Sequence, residues 1–381
     1  MSKNAYNLVM LPGDGVGREV ILEAAKVLDA VTDRFDVTFE RQEFPCGGQH
    51  YLEHGEEWPE EAFPTCRDWS DAVMLGAVGW PGASLPSGDI AGAGIVFGLR
   101  FGLDLYANVR PCKMHPGIQH KIHGAFKQVW EPAKVDMVLV RENTEGSYTP
   151  TRGTLSRGGV DEVAIDARVI TAKGAERVAR YAFETAARRH GAPSDGKSRV
   201  TCIDKSNVRA GCRLFRASYD KVGAAYPAIE RDYSYVDAFT QWLIRNPEFY
   251  DVCVAPNMLG DIVTDLASVL QGGMGMAASG NIGDTHAMFE PVHGSAPKHA
   301  GQGKANPLAM VDSVRLMLDH LGHKHDDRRL VEASLAVEGA IRAVVAQGKT
   351  LTYDLGGSAS TQQVGDAIVA ALHTALVTPD A

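Results

Sequence analysis

The chain has 381 residues, 45% hydrophobic and 22% charged, with 38 basic against 47 acidic side chains and a formal net charge of −9. That length exceeds one ordinary core and points to two domains. The mild acidic balance argues against a nucleic-acid or anionic-membrane surface, and it leaves room for a local arginine cluster that binds an anionic substrate. The opening residues MSKNAYN carry no apolar segment of the signal-peptide kind, and no apolar run approaches the ~18 residues of a membrane span. The six scattered cysteines lack a C-x-x-C pair and read as reduced thiols of a cytoplasmic protein.

In chain order, NLVML reads as a buried strand, GDGVG as a tight turn and GREVILEAAKVLDAV as an amphipathic helix. The setting is that of a dinucleotide-binding loop, but G-x-G-x-x-G requires a glycine where Arg18 stands, and the third glycine comes one residue early at Gly17. A plain strand–turn–helix junction is expected there. HYLEH (His50 to His54) matches an H-x-x-E-H zinc pattern, but Gly47, Gly48 and Gly55 are expected to leave too little room for the helix that pattern needs. AVMLGAVG, VDMVLVREN, RVTCIDKS and YDVCVAPN read as buried strands. SYTPTRGTLSRGGVDEVAIDARV reads as a hairpin or extended arm, and TAKGAERVARYAFETAARRHG and HDDRRLVEASLAVEGAIRAVVAQG as helices. In DHLGHKHDDRR, Gly322 is expected to cap a helix and leave His320, His323 and His325 in a solvated turn. This alternation predicts an α/β fold. With no low-complexity linker, one domain is expected to be inserted into the other.

Three groups of residues carry chemistry. Arg100, Arg110 and Arg141 include two at the ends of apolar runs, where α/β proteins place ligand groups, and arginine suits bidentate carboxylate binding. Asp261 and Asp265, four apart, share one face of a helix. Oxygen donors with no Cys or His nearby suit Mg²⁺ or Mn²⁺, and a solvated helix start is the competing reading. The loop GDTHAMFEPVHGSAPKHAGQGKANP offers freed amides at Gly294 and Ser295 beside Lys298, a setting for a phosphate.

LPGDGVG, LDLYANVRP, RENTEGSY, DKSNV, YVDAF, GDIVTDLAS and HGSAPKHAGQGKANP occur together and in this order. The chain, over roughly residues 5 to 375, resembles the isocitrate/isopropylmalate dehydrogenase family of β-decarboxylating dehydrogenases. The resemblance implies that family's two-domain α/β fold, which is not a Rossmann fold. Residues 1–105 with 272–381 are expected to form a cofactor-binding domain, and 106–271 a substrate, metal and dimerisation domain. An arm near 150–170 is expected to clasp a second subunit.

The resemblance further implies that Arg100, Arg110 and Arg141 hold malate carboxylates, and that Tyr148 and Lys205 are catalytic. It implies Asp237, Asp261 and Asp265 as ligands of Mg²⁺ or Mn²⁺. It places the dinucleotide on His293, Gly294, Ser295, Ala296, Lys298, His299 and Asn306. In the family the lysine and one aspartate come from the partner subunit, so a homodimer with shared sites is implied. The reaction implied is oxidation of a (2R)-malate at C2 with hydride transfer to NAD(P)⁺, then loss of CO₂. Retention of all these residues disfavours a non-catalytic regulatory subunit, a type the family also contains.

Two features bear on specificity. Gly94, Val96 and Phe97 make the stretch before Arg100 apolar, which favours 3-isopropylmalate or another 3-alkylmalate, ahead of D-malate or tartrate and then isocitrate. The glutamate that isopropylmalate enzymes carry near position 93 is missing. After HGSAP stands Lys298, where NAD enzymes of the family have an aspartate. A lysine cannot accept a hydrogen bond from a ribose 2′-hydroxyl and suits a 2′-phosphate, so NADP is expected ahead of NAD.

Overall fold

A computed structural model describes residue 3 and residues 5–374 of the chain. The elements run β1 (Ala5–Leu11), α1 (Gly17–Phe35), β2 (Thr38–Glu43), α2 (Gly48–His54), α3 (Ala62–Asp68), β3 (Ala72–Leu75) and α4 (Ala93–Gly102). Then come β4 (Ala107–Lys113), β5 (His120–Ile122), β6 (Ala125–Lys127), β7 (Asp136–Glu142), β8 (Arg152–Arg157), β9 (Val160–Asp166), α5 (Ala172–Arg188) and β10 (Arg199–Asp204). The chain continues through α6 (Ala210–Gly223), β11 (Glu230–Tyr235), α7 (Val236–Arg245), β12 (Val252–Ala255), α8 (Asn257–Ser268), β13 (Ala278–Ile282) and β14 (Ala287–Pro291). It closes with α9 (Leu308–His325), α10 (Arg328–Gln347) and α11 (Thr361–Thr374).

Two compact units emerge. One comprises Met1–Asp104, Met114–Pro132 and Ser268–Ala381; the other comprises Leu105–Lys113 and Ala133–Ala267. The strip 114–132, which the sequence left in the central block, belongs to the first unit. It is tied there by His120 Nε2 to the Leu270 carbonyl at 2.9 Å, and by Gly117, whose bare Cα lies against the Val345 carbonyl.

In the first unit the strands lie in the order β13-β14-β3-β1-β2. β2, β1, β3 and β14 are parallel neighbours, and β13 is antiparallel to β14. Their apolar runs, such as Leu8 to Leu11 and Ala72 to Leu75, are buried because helices cover both faces of a parallel sheet. α1 buries Val20, Ile21, Ala24, Val27, Leu28 and Val31, a stripe at helical spacing. In the second unit the order is β11-β10-β12-β7-β4, parallel except for β4 against β7.

β8 and β9 form an antiparallel hairpin by themselves, every residue of it exposed. Gly158 and Gly159, both at positive φ, supply the two-residue turn.

Two local expectations are corrected. A helix does form over HYLEH, as α2, with its start and end marked by Gly47 and Gly55 at positive φ. Glycines that were expected to prevent the helix instead bound it. Gly322 does not cap α9, which runs on to His325 and ends at Asp326 in the left-handed conformation. A Cβ on Gly322 would meet Val331 of α10 at 2.8 Å, so the glycine is spent on close helix packing. Among the described residues, no helix is long and apolar enough to cross a membrane.

Candidate active site

In the second unit, register sets the arginines. Asn108 of β4 lies directly opposite Arg141 of β7, and Arg110 is two residues on, so all three side chains share one face. Arg110 Nε donates to Asn108 at 2.9 Å, and its Nη1 donates to Thr264 at 2.7 Å and to Asp265 at 3.0 Å. Its Nη2 lies 3.5 Å from Asp261. Arg141, 3% exposed, donates from Nε and Nη2 to Asn257 at 2.9 and 2.7 Å and pairs with Asp261 through Nη1.

The Tyr148 hydroxyl donates to Asp261 Oδ2 at 2.8 Å, and its ring lies 5.3 Å from the Arg141 guanidinium. Asp261 and Asp265 do share a face of α8, as the i, i+4 spacing predicted, and Arg110 spans both. Asp261 is therefore the hub of two guanidiniums and one phenol, with its own side chain 32% exposed.

The segment RENTEGSY is a scaffold that aims Tyr148. Buried Glu142 accepts from the Thr144 amide at 2.8 Å, the Thr144 hydroxyl at 2.9 Å and the Glu145 amide at 3.0 Å. Burial pushes the Glu142 carboxyl above its ordinary value, and the two amides and the hydroxyl counter that. Glu145 in turn accepts from the Thr171 amide and hydroxyl, both at 2.8 Å, while Thr171 caps α5. Asn257 Nδ2 donates to the Glu145 carbonyl at 2.8 Å, so one amide side chain ties the tyrosine loop to Arg141.

Lys205 follows β10, and Asp237 opens α7 one strand over. Their side chains pair, and the ammonium holds the Asp237 carboxyl below its ordinary value. Lys205 is held in place by Asp204, fully buried, which accepts from Arg216 at 2.8 and 3.0 Å and from the Ser206 amide at 2.8 Å. Asp237 does not join Asp261 and Asp265: among the described residues no three His, Cys, Asp or Glu side chains come together as a metal cluster. Asp261 and Asp265 supply oxygen donors of the kind that fit a hard divalent cation.

In the first unit, Arg100 at the end of α4 is 8% exposed and pairs with Glu290 of β14 at 3.0 Å. Asn281 Nδ2 also donates to Glu290, at 2.8 Å. On the same helix, Val96 and Phe97 are half-buried, and Phe97 stacks on Phe101 with centroids 5.9 Å apart. The apolar reading of this stretch missed Glu57, whose carboxylate accepts from the Gly92 amide at 2.5 Å and the Gly94 amide at 3.2 Å.

The HGSAP loop is built around the glycine turn that opens the chain. Asp14, fully buried, accepts from the amides of Gly48, Gln49 and Gly79 at 2.7, 2.8 and 2.7 Å. The turn's own carboxylate thus fills the start of α2. The Val16 amide donates to the Ser295 carbonyl at 2.9 Å, and a side chain at Gly15 would run into that carbonyl. Glu19 of α1 accepts from Gly301 and Gly303 at 2.7 and 2.9 Å.

Gly294 is exposed, and Ala296 takes a left-handed conformation. Burial lowers the His293 imidazole below its ordinary value. Lys298 is exposed, the His299 ring lies 5.7 Å from that of Tyr353, and Lys304 sits 5.6 Å from the same ring. Asn306 donates to Asp354 at 3.0 Å and accepts from the first amide of α9 at 3.0 Å.

A family profile described as isocitrate/isopropylmalate dehydrogenase matches residues 7–368. A 3-isopropylmalate dehydrogenase of Thermobifida fusca (strain YX) is 42% identical over 373 residues, covering 97% of this chain and 98% of that one. A 3-isopropylmalate dehydrogenase of Corynebacterium glutamicum (strain R) is 41% identical, covering 96% and 99%. The crystal structure of isocitrate dehydrogenase from Methylococcus capsulatus aligns with a TM-score of 0.82 at 33% identity, covering 96% and 99%. That of a beta-decarboxylating dehydrogenase from Thermococcus kodakarensis aligns with a TM-score of 0.74 at 35% identity, covering 97% and 96%. With a family match across nearly its whole length, relatives above 40% identical and the same overall fold as solved members, the chain belongs to the isocitrate/isopropylmalate dehydrogenase family of β-decarboxylating dehydrogenases.

Proposed function

We propose that this chain oxidises and decarboxylates a (2R)-malate carrying an alkyl group at C3, with 3-isopropylmalate the best fit, using NADP⁺ and Mg²⁺ or Mn²⁺. The observation that carries the reading is the convergence of Arg110, Arg141 and the Tyr148 hydroxyl on Asp261. The 41–42% identity to chains named 3-isopropylmalate dehydrogenase supports the substrate.

Arg110 and Arg141 grip the malate carboxylates, held at the correct pitch by Asn108, Thr264 and Asn257. Arg100 contributes from α4. Lys205, supplied across the dimer like Asp237, accepts the proton of the C2 hydroxyl. A divalent cation on Asp261 and Asp265 would supply polarisation of the C2 oxygen, and a nicotinamide cofactor on the loop carrying Gly294 and Lys298 would supply the acceptor for the C2 hydride. After CO₂ leaves, Tyr148 returns a proton to C3, its hydroxyl already oriented by Asp261. The products are a 2-keto acid, CO₂ and reduced nicotinamide.

Asp261 and Asp265 would hold the cation, with Asp237 supplied by a second copy of the chain. The separation of Asp237 from the α8 pair within one chain supports that sharing, and so does the solitary hairpin, with Leu155, Val160, Val163 and Ile165 exposed. NADP⁺ is favoured over NAD⁺ by Lys298, His299 and Lys304 around the loop that takes the adenosine. Six buried free thiols support a reducing compartment such as the cytoplasm.

The test is the purified chain with 3-isopropylmalate, Mn²⁺ and NADP⁺. Reduced cofactor and CO₂ should appear in equal amounts, and EDTA should stop both. Reduction without CO₂, or turnover that survives EDTA, would refute the reading.

A further inference from the structure

The residues that open α4 are Gly92, Ala93 and Gly94. The first amides of a helix point outward unsatisfied and attract negative charge. Here they are met from within the unit. Glu57, in the segment after α2, brings Oε1 to the amides of Gly92 and Gly94 at 2.5 and 3.2 Å. Its Oε2 fills the space a side chain at Gly94 would take, and a Cβ there would collide with it. The Glu57 backbone is fixed as well, because its carbonyl accepts from the Gly47 amide at 2.8 Å.

Gly94 and Phe97 are neighbours on the helix surface, and so are Phe97 and Arg100. The Glu57 carboxylate therefore stands beside the apolar stretch of Val96 and Phe97, the surface whose polarity favours an alkyl group at malate C3.

We infer that Glu57 is a specificity-determining residue that excludes an anionic C3 substituent. A substrate with a third carboxylate would bring that group to a helix start whose positive end is already neutralised and whose nearest side chain is a carboxylate. An alkyl group meets no such penalty. The inference rests on the proposed reaction and deepens it: exclusion of a tricarboxylate is an act of charge at this site, not only of the apolar lining by Val96 and Phe97.

Glu57→Gln tests this, since an amide oxygen still accepts from Gly92 and Gly94 while the charge is gone. Glu57→Asp is the partner variant: it keeps the charge and shortens the reach. The readout is the inhibition constant of isocitrate against 3-isopropylmalate turnover, divided by the KM for 3-isopropylmalate. A ratio between ligands is insensitive to a general loss of packing. The expected result is a fall of at least tenfold in that ratio for Glu57→Gln and little change for Glu57→Asp. An unchanged ratio in Glu57→Gln would overturn the inference, as would an equal fall in both variants, which marks a purely structural cap. Should the wild-type chain turn over no malate at all, the proposed function fails before this test begins.

Discussion

Gly260 lies one turn into α8, where an alanine would serve the helix better by about 1 kcal/mol. Its bare Cα faces Arg141: a Cβ would stand 2.8 Å from both Cβ and Cγ of the arginine and 3.3 Å from its Cα. Ordinary contact begins near 3.4 Å. The clashing atoms are next to the backbone of β7, so rotating the side chain cannot relieve them, and Arg141 has no room to withdraw.

Gly260→Ala should therefore cost about 1–3 kcal/mol of overpacking, with the helix gain offsetting about 1 kcal/mol of the stability loss. If the displacement is expressed at the guanidinium, kcat/KM for the dicarboxylate falls roughly 5- to 150-fold, at 1.36 kcal/mol per tenfold. Steady-state kinetics at saturating cofactor and Mn²⁺, beside a thermal melt, measure both. A folded variant with kcat/KM within twofold of wild type would refute the claim that α8 and β7 set the arginine.

Lys205→Ala and Tyr148→Phe should each abolish turnover, and unfolding and refolding the two together should restore about a quarter of wild-type activity, because half the dimers then carry one intact shared site. No recovery would place Lys205 and Tyr148 of one chain in one site. Lys298→Asp should lower the NADP⁺/NAD⁺ preference by about tenfold or more, as an accepting carboxylate replaces a cation; an unchanged preference would move the 2′-phosphate contact elsewhere.

Arg189 binds Asp136 and fully buried Asp251, each at 2.7 Å, with its own side chain 17% exposed. Arg189→Ala should destabilise the fold by about 3 kcal/mol at pH 7. Burial disfavours the ionised form of Asp136, but Arg189 and Lys113 outweigh that and hold its carboxyl below its ordinary value. Its contribution is thus fully present above its unfolded value of about 3.9 and is lost as pH falls through the folded value. Urea denaturation at pH 7 and pH 3.5 should show the gap between wild type and variant narrowing on acidification, and an equal gap at both would contradict this.

Much of the architecture was legible because buried parallel strands are written as short apolar runs: VDMVLVREN, RVTCIDKS and YDVCVAPN each contain the strand expected. The pairing of Asp261 with Asp265 followed from helix geometry alone. What stayed hidden depends on chain segments far apart. Gly322 and Gly260 look like helix breakers until the neighbouring Val331 and Arg141 are seen against them. Glu57 is 35 residues from Gly92, and nothing local marks it as a helix cap. Asp14 sat in a motif read for its glycines, whereas its carboxylate is the group that fastens Gly48, Gln49 and Gly79. Asn257 and Thr264 lay inside the quoted stretches YDVCVAPN and GDIVTDLAS, yet their roles appear only once β4, β7 and α8 are packed.

The most direct test of the central claim is a set of initial rates with Mn²⁺, NADP⁺ and NAD⁺ across 3-isopropylmalate, D-malate, tartrate and isocitrate. The account predicts the highest kcat/KM for 3-isopropylmalate, with NADP⁺ preferred. A preference for isocitrate would contradict it, since neither the apolar face of α4 nor the Glu57 carboxylate offers a third carboxylate a partner.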